Sequence, residues 1–112
     1  QSVKTIKFES ASTTVNGNFT IKNTNKDFNP ILETVYLNKI IALNNTLSLS
    51  FDNKVVIKNL TITNCDCSTL QLKNIEVHNL TITGNQFKKY NFQNIEFPNK
   101  DIKISDAQTN DI

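Results

Sequence analysis

The chain contains no arginine: all 12 of its basic residues are lysines, set against 10 acids. Guanidinium geometry is what bidentate phosphate forks, carboxylate clamps and base-edge readout favour, so its absence counts against all three. The formal net charge of +2 is too small to draw the chain to nucleic acid. No apolar run approaches the length needed to cross a membrane as a helix, so no membrane insertion is expected of this stretch. His78 is the single histidine, so any triad or histidine-assisted base must pass through it. A metal centre needs more ligands than that histidine and two cysteines offer, and neither a metal nor a cofactor is expected.

What is present is a repeat. The segment Ile57–Thr63 (IKNLTIT) returns twenty residues later as Val77–Thr83 (VHNLTIT), and self-similarity at such a period is the mark of a solenoid. At a step of twenty, one apolar column reads Val15, Val35, Val55, Ile75, Ile95. A second reads Leu37, Ile57, Val77, Phe97, and a third Ala42, Ile62, Ile82, Ile102. A looser face runs Leu47, Leu49, Phe51, then Leu70, Leu72, then Tyr90, Phe92. Each unit thus carries two or three short runs of period two, the rhythm of a strand, separated by Asn, Asp, Ser and Lys, which turn chains. The reading is all-β: a short parallel β-solenoid of four to five coils. Residues 1–30 form an N-terminal strand and hairpin cap, and residues 31–112 the repeats. In the cap, Asn16-Gly17-Asn18 is a hairpin signal that would pair SASTTV with NFTIKNT. Ser10–Thr14 and 23–30 read as loops, and Ile102–Ile104 as a last strand before a polar tail.

Asparagine is also columnar. Asn59, Asn79 and Asn99 share a column that Lys39 begins, and Asn74 and Asn94 share another. At a corner, asparagine tolerates left-handed backbone, and its amide can bond the amide one coil above. The plainer reading is a biased genome that loads the chain with asparagine.

The coil sequence IEVHNLTITGN resembles that of right-handed parallel β-helix proteins of the pectin-lyase-like superfamily, where apolar-x-apolar strands flank a corner asparagine. The resemblance covers two to three coils. The leucine-rich repeat is the rival: Leu37, Ile40, Ala42, Asn45, Leu47 and Val77, Leu80, Ile82, Asn85, Phe87 fit its frame, although STLQLKNIE alternates like a strand and shows no helical stripe. The first resemblance implies acids on successive coils, but the Asp pairs and Gly-His-Gly of polygalacturonases are missing, so no catalytic residue carries over.

Candidate sites each have a plainer alternative. Glu76 and Glu96 stack one coil apart, near the roughly 5 Å carboxyl spacing of retaining glycosidases, or they are a solvated face paired with lysines. His78, with Asn38, Lys58 and Pro98 in its column, reads as outward and solvated. Thr61 and Thr63 sit over Thr81 and Thr83, flanked by Ile41 and Leu43 on one side and Asp101 and Lys103 on the other. The array resembles that of β-helical ice-binding proteins, or is ordinary outward strand chemistry. Lys58, Thr61, His78 and Thr81 would be the binding face of a leucine-rich-repeat module. Tyr36, Phe87 and Tyr90 are sugar-stacking candidates or core and rim. Cys65 and Cys67 would face one way on a strand, about 6.5–7 Å apart. They are either two small buried thiols or, in an exported protein, a disulfide that needs a bend to close.

The chain opens on Gln1 rather than Met and holds N-glycosylation sequons at Asn18, Asn44, Asn59 and Asn79. These features read as a mature or trimmed piece of an exported protein, extracellular or at a cell surface, the periplasmic side included. The expectation is a non-enzymatic module for structure, adhesion or assembly, such as the soluble part of a pilus-like protein. Its partners would be a protein or glycan at a cell surface, with self-association through the solenoid ends. The alternatives are a glycan-binding or carbohydrate-active domain using the Glu76 and Glu96 face, and a leucine-rich-repeat-like protein-binding module.

Overall fold

The computed structural model describes residues 3–14, 17–23 and 31–104. Six strands follow one another: β1 (Val3–Thr14), β2 (Phe19–Asn23), β3 (Ile31–Thr63), β4 (Asp66–Thr83), β5 (Gln86–Glu96) and β6 (Asp101–Ile104). Every pairing between them is parallel, in the order β1-β3-β4-β5, with β2 also on β3 and β6 also on β4. The fold is an all-β parallel solenoid. Among the described residues there is no helix, and so none long and apolar enough to cross a membrane.

The burial rhythm explains how a strand of 33 residues can exist. Buried side chains come in pairs two residues apart, and the pairs recur every five: Val55/Ile57, Leu60/Ile62, Cys65/Cys67, Leu70/Leu72, Ile75/Val77, Leu80/Ile82. Within a pair the chain alternates as a strand must. Between pairs two successive residues stay out of the core (Lys58-Asn59, Ser68-Thr69), so the strand bends there while its ladder continues. Four bends bring the chain round in twenty residues, and the four inward pairs fill the centre of each coil. The two or three runs per unit legible in the sequence are therefore four.

Two columns of corners use left-handed backbone. One holds Asn64 (φ 56°) and Gly84 (φ 72°), with Lys39 (φ 62°) in the corresponding place of the coil before; the other holds Asn74 (φ 60°) and Asn94 (φ 55°). The Asn59 and Asn79 column does not use left-handed backbone, but it does form an amide ladder. Asn79 Nδ2 donates to Asn59 Oδ1 at 2.8 Å, and Asn59 Nδ2 donates to Glu33 O at 3.2 Å. Asn94 Nδ2 likewise donates to Asn74 Oδ1 at 2.7 Å.

The repeat is strict only from Val55 to Glu96, where Val55, Ile75 and Ile95 lie in register, as do Val56, Glu76 and Glu96. The coil before is five residues longer. Ala42 pairs with Cys67, Thr46 with Thr69 and Val55 with Ile75, so two extra residues enter between Ala42 and Thr46 and three between Ser50 and Val55. The expected columns joining Val35 to Val55, Leu37 to Ile57 and Ala42 to Ile62 are therefore displaced: Ala42 belongs with Cys67 and Phe87. A two-residue excess near Phe97–Lys100 places Ile102 on Leu80 instead of Ile82, and Asp101 instead of Asn99 on Asn79. The looser face holds as read, Leu47 with Leu70 and Tyr90, Leu49 with Leu72 and Phe92.

At the N-terminus the expected hairpin does not form. β1 and β2 both run parallel to β3 as a first coil, and Ser10–Thr14 is strand, not loop. This register places Ile6 on Val35, Phe8 on Leu37 and Phe19 on Leu47, so the apolar columns extend by a coil, which an antiparallel pair would not do. Val15, Asn16, the polar loop 24–30 and the tail 105–112 lie outside the described residues.

Candidate functional site

The side chains picked out from the sequence fall into three places. Glu76 and Glu96 do stack, one rung apart on the outside of β4 and β5. Lys54 reaches both: its Nζ lies 4.0 Å from Glu76 Oε1 and in contact with Glu96 Oε1. The hydrogen bond to Glu96 raises the lysine's pKa above its usual value, against a smaller opposing effect of burial. His78 Nε2 sits 2.9 Å from Glu76 Oε2. Lys58 pairs instead with Glu33, at 3.7 Å. The carboxylate pair is thus engaged by side chains of its own fold. Asn38 is not in this outward group. It is 8% exposed, and its Oδ1 accepts from Thr63 Oγ1 at 3.1 Å and from Asn64 Nδ2 at 3.3 Å, because the longer second coil displaces it from the His78 column.

The threonines form a separate column on the next bend of the coil. Thr61 stacks on Thr81 and Thr63 on Thr83. Lys103 continues the column beyond Thr81, while Ile41 pairs with Asp66 and lies off it. The array is two rungs deep, bounded by Asn38 on one side and Lys103 on the other.

Cys65 and Cys67 are free thiols, both buried. Each thiol lies against backbone carbonyls and not its neighbour: Cys65 Sγ is 3.4 Å from Thr63 O and 3.8 Å from Leu37 O, and Cys67 Sγ is 3.4 Å from Thr69 O. Both are buried in the core, Cys65 in the break just before β4 and Cys67 within it. The disulfide considered from the sequence is not formed. Burial pushes the Cys65 thiol up, and the Cys67 thiol up to about 12, so neither is a thiolate nucleophile near neutral pH.

The third place is a cleft that the sequence did not signal. It has a volume of about 260 Å³ and lies where the extra residues of the second coil overhang the two coils that follow. Leu43 and Asn44 form its lip. Leu43 is 54% exposed, and Asn44 adopts left-handed backbone at φ 62°. Asn45 Nδ2 donates to Leu43 O at 2.9 Å, and Thr46 N–H donates to Asn18 Oδ1 at 3.0 Å, which fix the bulge from both ends. Asp66, Cys67 and Ser68 make one rung of the wall, and Gln86, Phe87 and Lys88 the next. Their register is direct, Asp66 on Gln86 and Cys67 on Phe87. Phe87 packs partly on the core and meets Tyr90 edge to face at 5.6 Å, so its ring is held in place. Tyr36, also considered as a stacking residue, is half-buried on β3 and does not line the cleft. The one available clue was the break in the twenty-residue step between Ala42 and Thr46.

No family model, no curated protein and no solved structure matches this chain. Among the described residues, no group of three or more His, Cys, Asp and Glu is placed to hold a metal ion.

Proposed function

We propose that the chain is a non-enzymatic, exported β-solenoid module used for structure, adhesion or assembly at a cell surface. The observation that carries this reading is how the exposed ionisable groups are used. Glu76, Glu96, Lys54 and His78 are joined to one another, as are Lys58 and Glu33. A carboxylate pair that works on a glycosidic bond needs one acid kept protonated and one left ionised. Here one lysine contacts both carboxylates, and His78 holds Glu76 from the other side, so the pair is engaged by its own fold and presents no open acid–base couple. The outward columns Thr61/Thr81, Thr63/Thr83 and Asn59/Asn79 repeat at the spacing of the coils, which suits a surface that lies along another regular surface.

Surface biotinylation of intact source cells, followed by detection of the native protein, tests the reading. Labelling from outside is the expected result. A native protein that is protected from the reagent and recovered in the cytosolic fraction overturns it. In parallel, a Glu76→Gln, Glu96→Gln double variant is expected to leave any glycan binding unchanged.

A further inference from the structure

On the outer faces of the coils, polar side chains pair with one another in the asparagine ladders, the Lys54 cluster and the Lys58–Glu33 pair. The cleft beneath Leu43 gathers polar side chains of a different kind. In the cleft, Asn44, Asp66, Ser68, Gln86 and Lys88 make no side-chain hydrogen bond or ion pair among the described residues. Five unengaged polar groups therefore converge on one concavity, beside an exposed leucine and a half-buried phenylalanine. We propose that this cleft is a saccharide subsite that takes a single neutral pyranose ring.

The chemistry of the lining selects that class. A pyranose has a C–H face that is apolar and a rim of hydroxyls that each donate and accept. Leu43 and Phe87 supply the apolar contact. The Asp66 carboxylate accepts from a hydroxyl, the Asn44 and Gln86 amides donate and accept, and Ser68 and Lys88 complete the rim. The lining carries one acid and one base, so it is neutral overall and gives an anionic ligand no advantage. With no arginine in the chain, a phosphate or carboxylate has no fork to bind. The volume of about 260 Å³ falls below the ~300 Å³ at which drug-sized sites begin, which suits one ring and not an extended peptide. The Cys67 thiol at the floor is buried and protonated, so the cleft binds without covalent chemistry.

Asp66 and Gln86 are in strand register one coil apart, which fixes their spacing near the ~4.8 Å of neighbouring strands. Vicinal hydroxyls are closer together than that, so each residue takes its own hydroxyl, and the Asp66 carboxylate, as the charged acceptor, is the stronger anchor.

This inference rests on the surface-module reading and gives it a ligand class. The test is an amide chemical-shift titration of the full 112-residue chain with a panel of methyl pyranosides: glucoside, galactoside, mannoside and the two N-acetylhexosaminides. At least one is expected to move the amides of residues 43–44, 66–68 and 86–88 in a saturable way. Asp66→Asn, which keeps the shape, and Gln86→Ala are each expected to weaken that binding about tenfold. Asn44→Gly, which keeps the left-handed backbone, is expected to weaken it less. Thr61→Ala and Thr81→Ala are expected to leave it unchanged. A panel that moves none of these amides overturns the proposal, as does a shift map centred on the threonine column or on Lys54 and Glu76. Both of those outcomes are read on the unmodified chain, so a variant that fails to fold does not blunt the test. Failure here leaves the surface-module reading standing, since that is decided by where the native protein resides. A cytosolic native protein would end that reading without removing a saccharide bound in the cleft.

Discussion

Asn79 hands its side-chain amide proton to the side-chain oxygen of Asn59, one coil below, at 2.8 Å. Asn59 in turn donates to the backbone oxygen of Glu33, so one polar ladder ties three coils together. Asn79→Asp removes the donor and sets a carboxylate oxygen against Asn59 Oδ1. Stability by urea unfolding at pH 7 is expected to fall by about 1–3 kcal/mol. Because a protonated aspartic acid can donate again, the deficit should shrink as pH falls below about 4. A deficit that does not change with pH would mean that the ladder bond contributes nothing.

Gly84 is the one position in its column where a side chain is excluded. Its φ is 72°, and a Cβ there would lie 2.8 Å from Asn64 Oδ1. Gly84→Ala is expected to cost about 1–2 kcal/mol from backbone strain alone. Lys39 occupies the same kind of corner at φ 62° and carries a side chain there. Lys39→Gly is expected to be neutral or to stabilise by up to about 1 kcal/mol. Thermal or urea unfolding of the two variants should move in opposite directions.

The two thiols make stability sensitive to alkali. Burial raises both, Cys67 from an ordinary 9.0 to about 12. In that interval the unfolded chain has lost protons that the folded chain keeps. The contribution is complete below pH 9 and is lost as pH rises toward 12. Urea midpoints measured across that range should fall, and Cys67→Val should flatten the slope. Under native conditions both thiols are expected to resist iodoacetamide and to react fully once urea is added.

Lys54 offsets the repulsion of two stacked glutamates at the surface. Lys54→Met leaves Glu76 and Glu96 facing each other across one rung, with His78 against Glu76 alone. The variant is expected to be less stable than the parent in low salt and to recover as salt is added, since exposed charges separated by a few ångströms of water are screened. A loss independent of salt would assign Lys54 a packing role in place of a charge role.

The coils from Val55 to Glu96 are legible because nothing interrupts them. Val55, Ile75 and Ile95, the stacked Glu76 and Glu96, and the paired threonines all follow from a fixed step of twenty. The second coil is misaligned because its two insertions, two residues within 43–45 and three within 51–54, carry the same Asn, Asp and Lys as ordinary repeat corners. A step of twenty carried across them puts Val35 under Val55, where the strand register does not. The cleft was illegible for the same reason, since it exists only because that bulge overhangs Asp66 and Gln86. The hairpin was expected from a local Asn-Gly-Asn signal, but the gain from extending the Leu37 and Leu47 columns by another coil outweighs a local turn preference. The finer five-residue rhythm is present in the sequence throughout, but its corners carry Thr, Ser and Lys as often as Asn, which hides it.

The last coil is thinly covered. Phe87, Tyr90, Phe92, Ile95 and Phe97 pack on the core but stay only half-buried, whereas Leu70, Leu72, Ile75, Val77 and Leu80 one coil earlier are almost wholly enclosed. In a stack where each coil touches only its neighbours, rupture starts where the least area is lost. Under tension applied at the C-terminus the molecule therefore behaves as a ratcheted tether. It sheds β6 and β5 first and then yields in steps of one coil, each releasing about 70 Å of extended chain. Force traces from that end with evenly spaced releases of that length would show the stack giving way coil by coil.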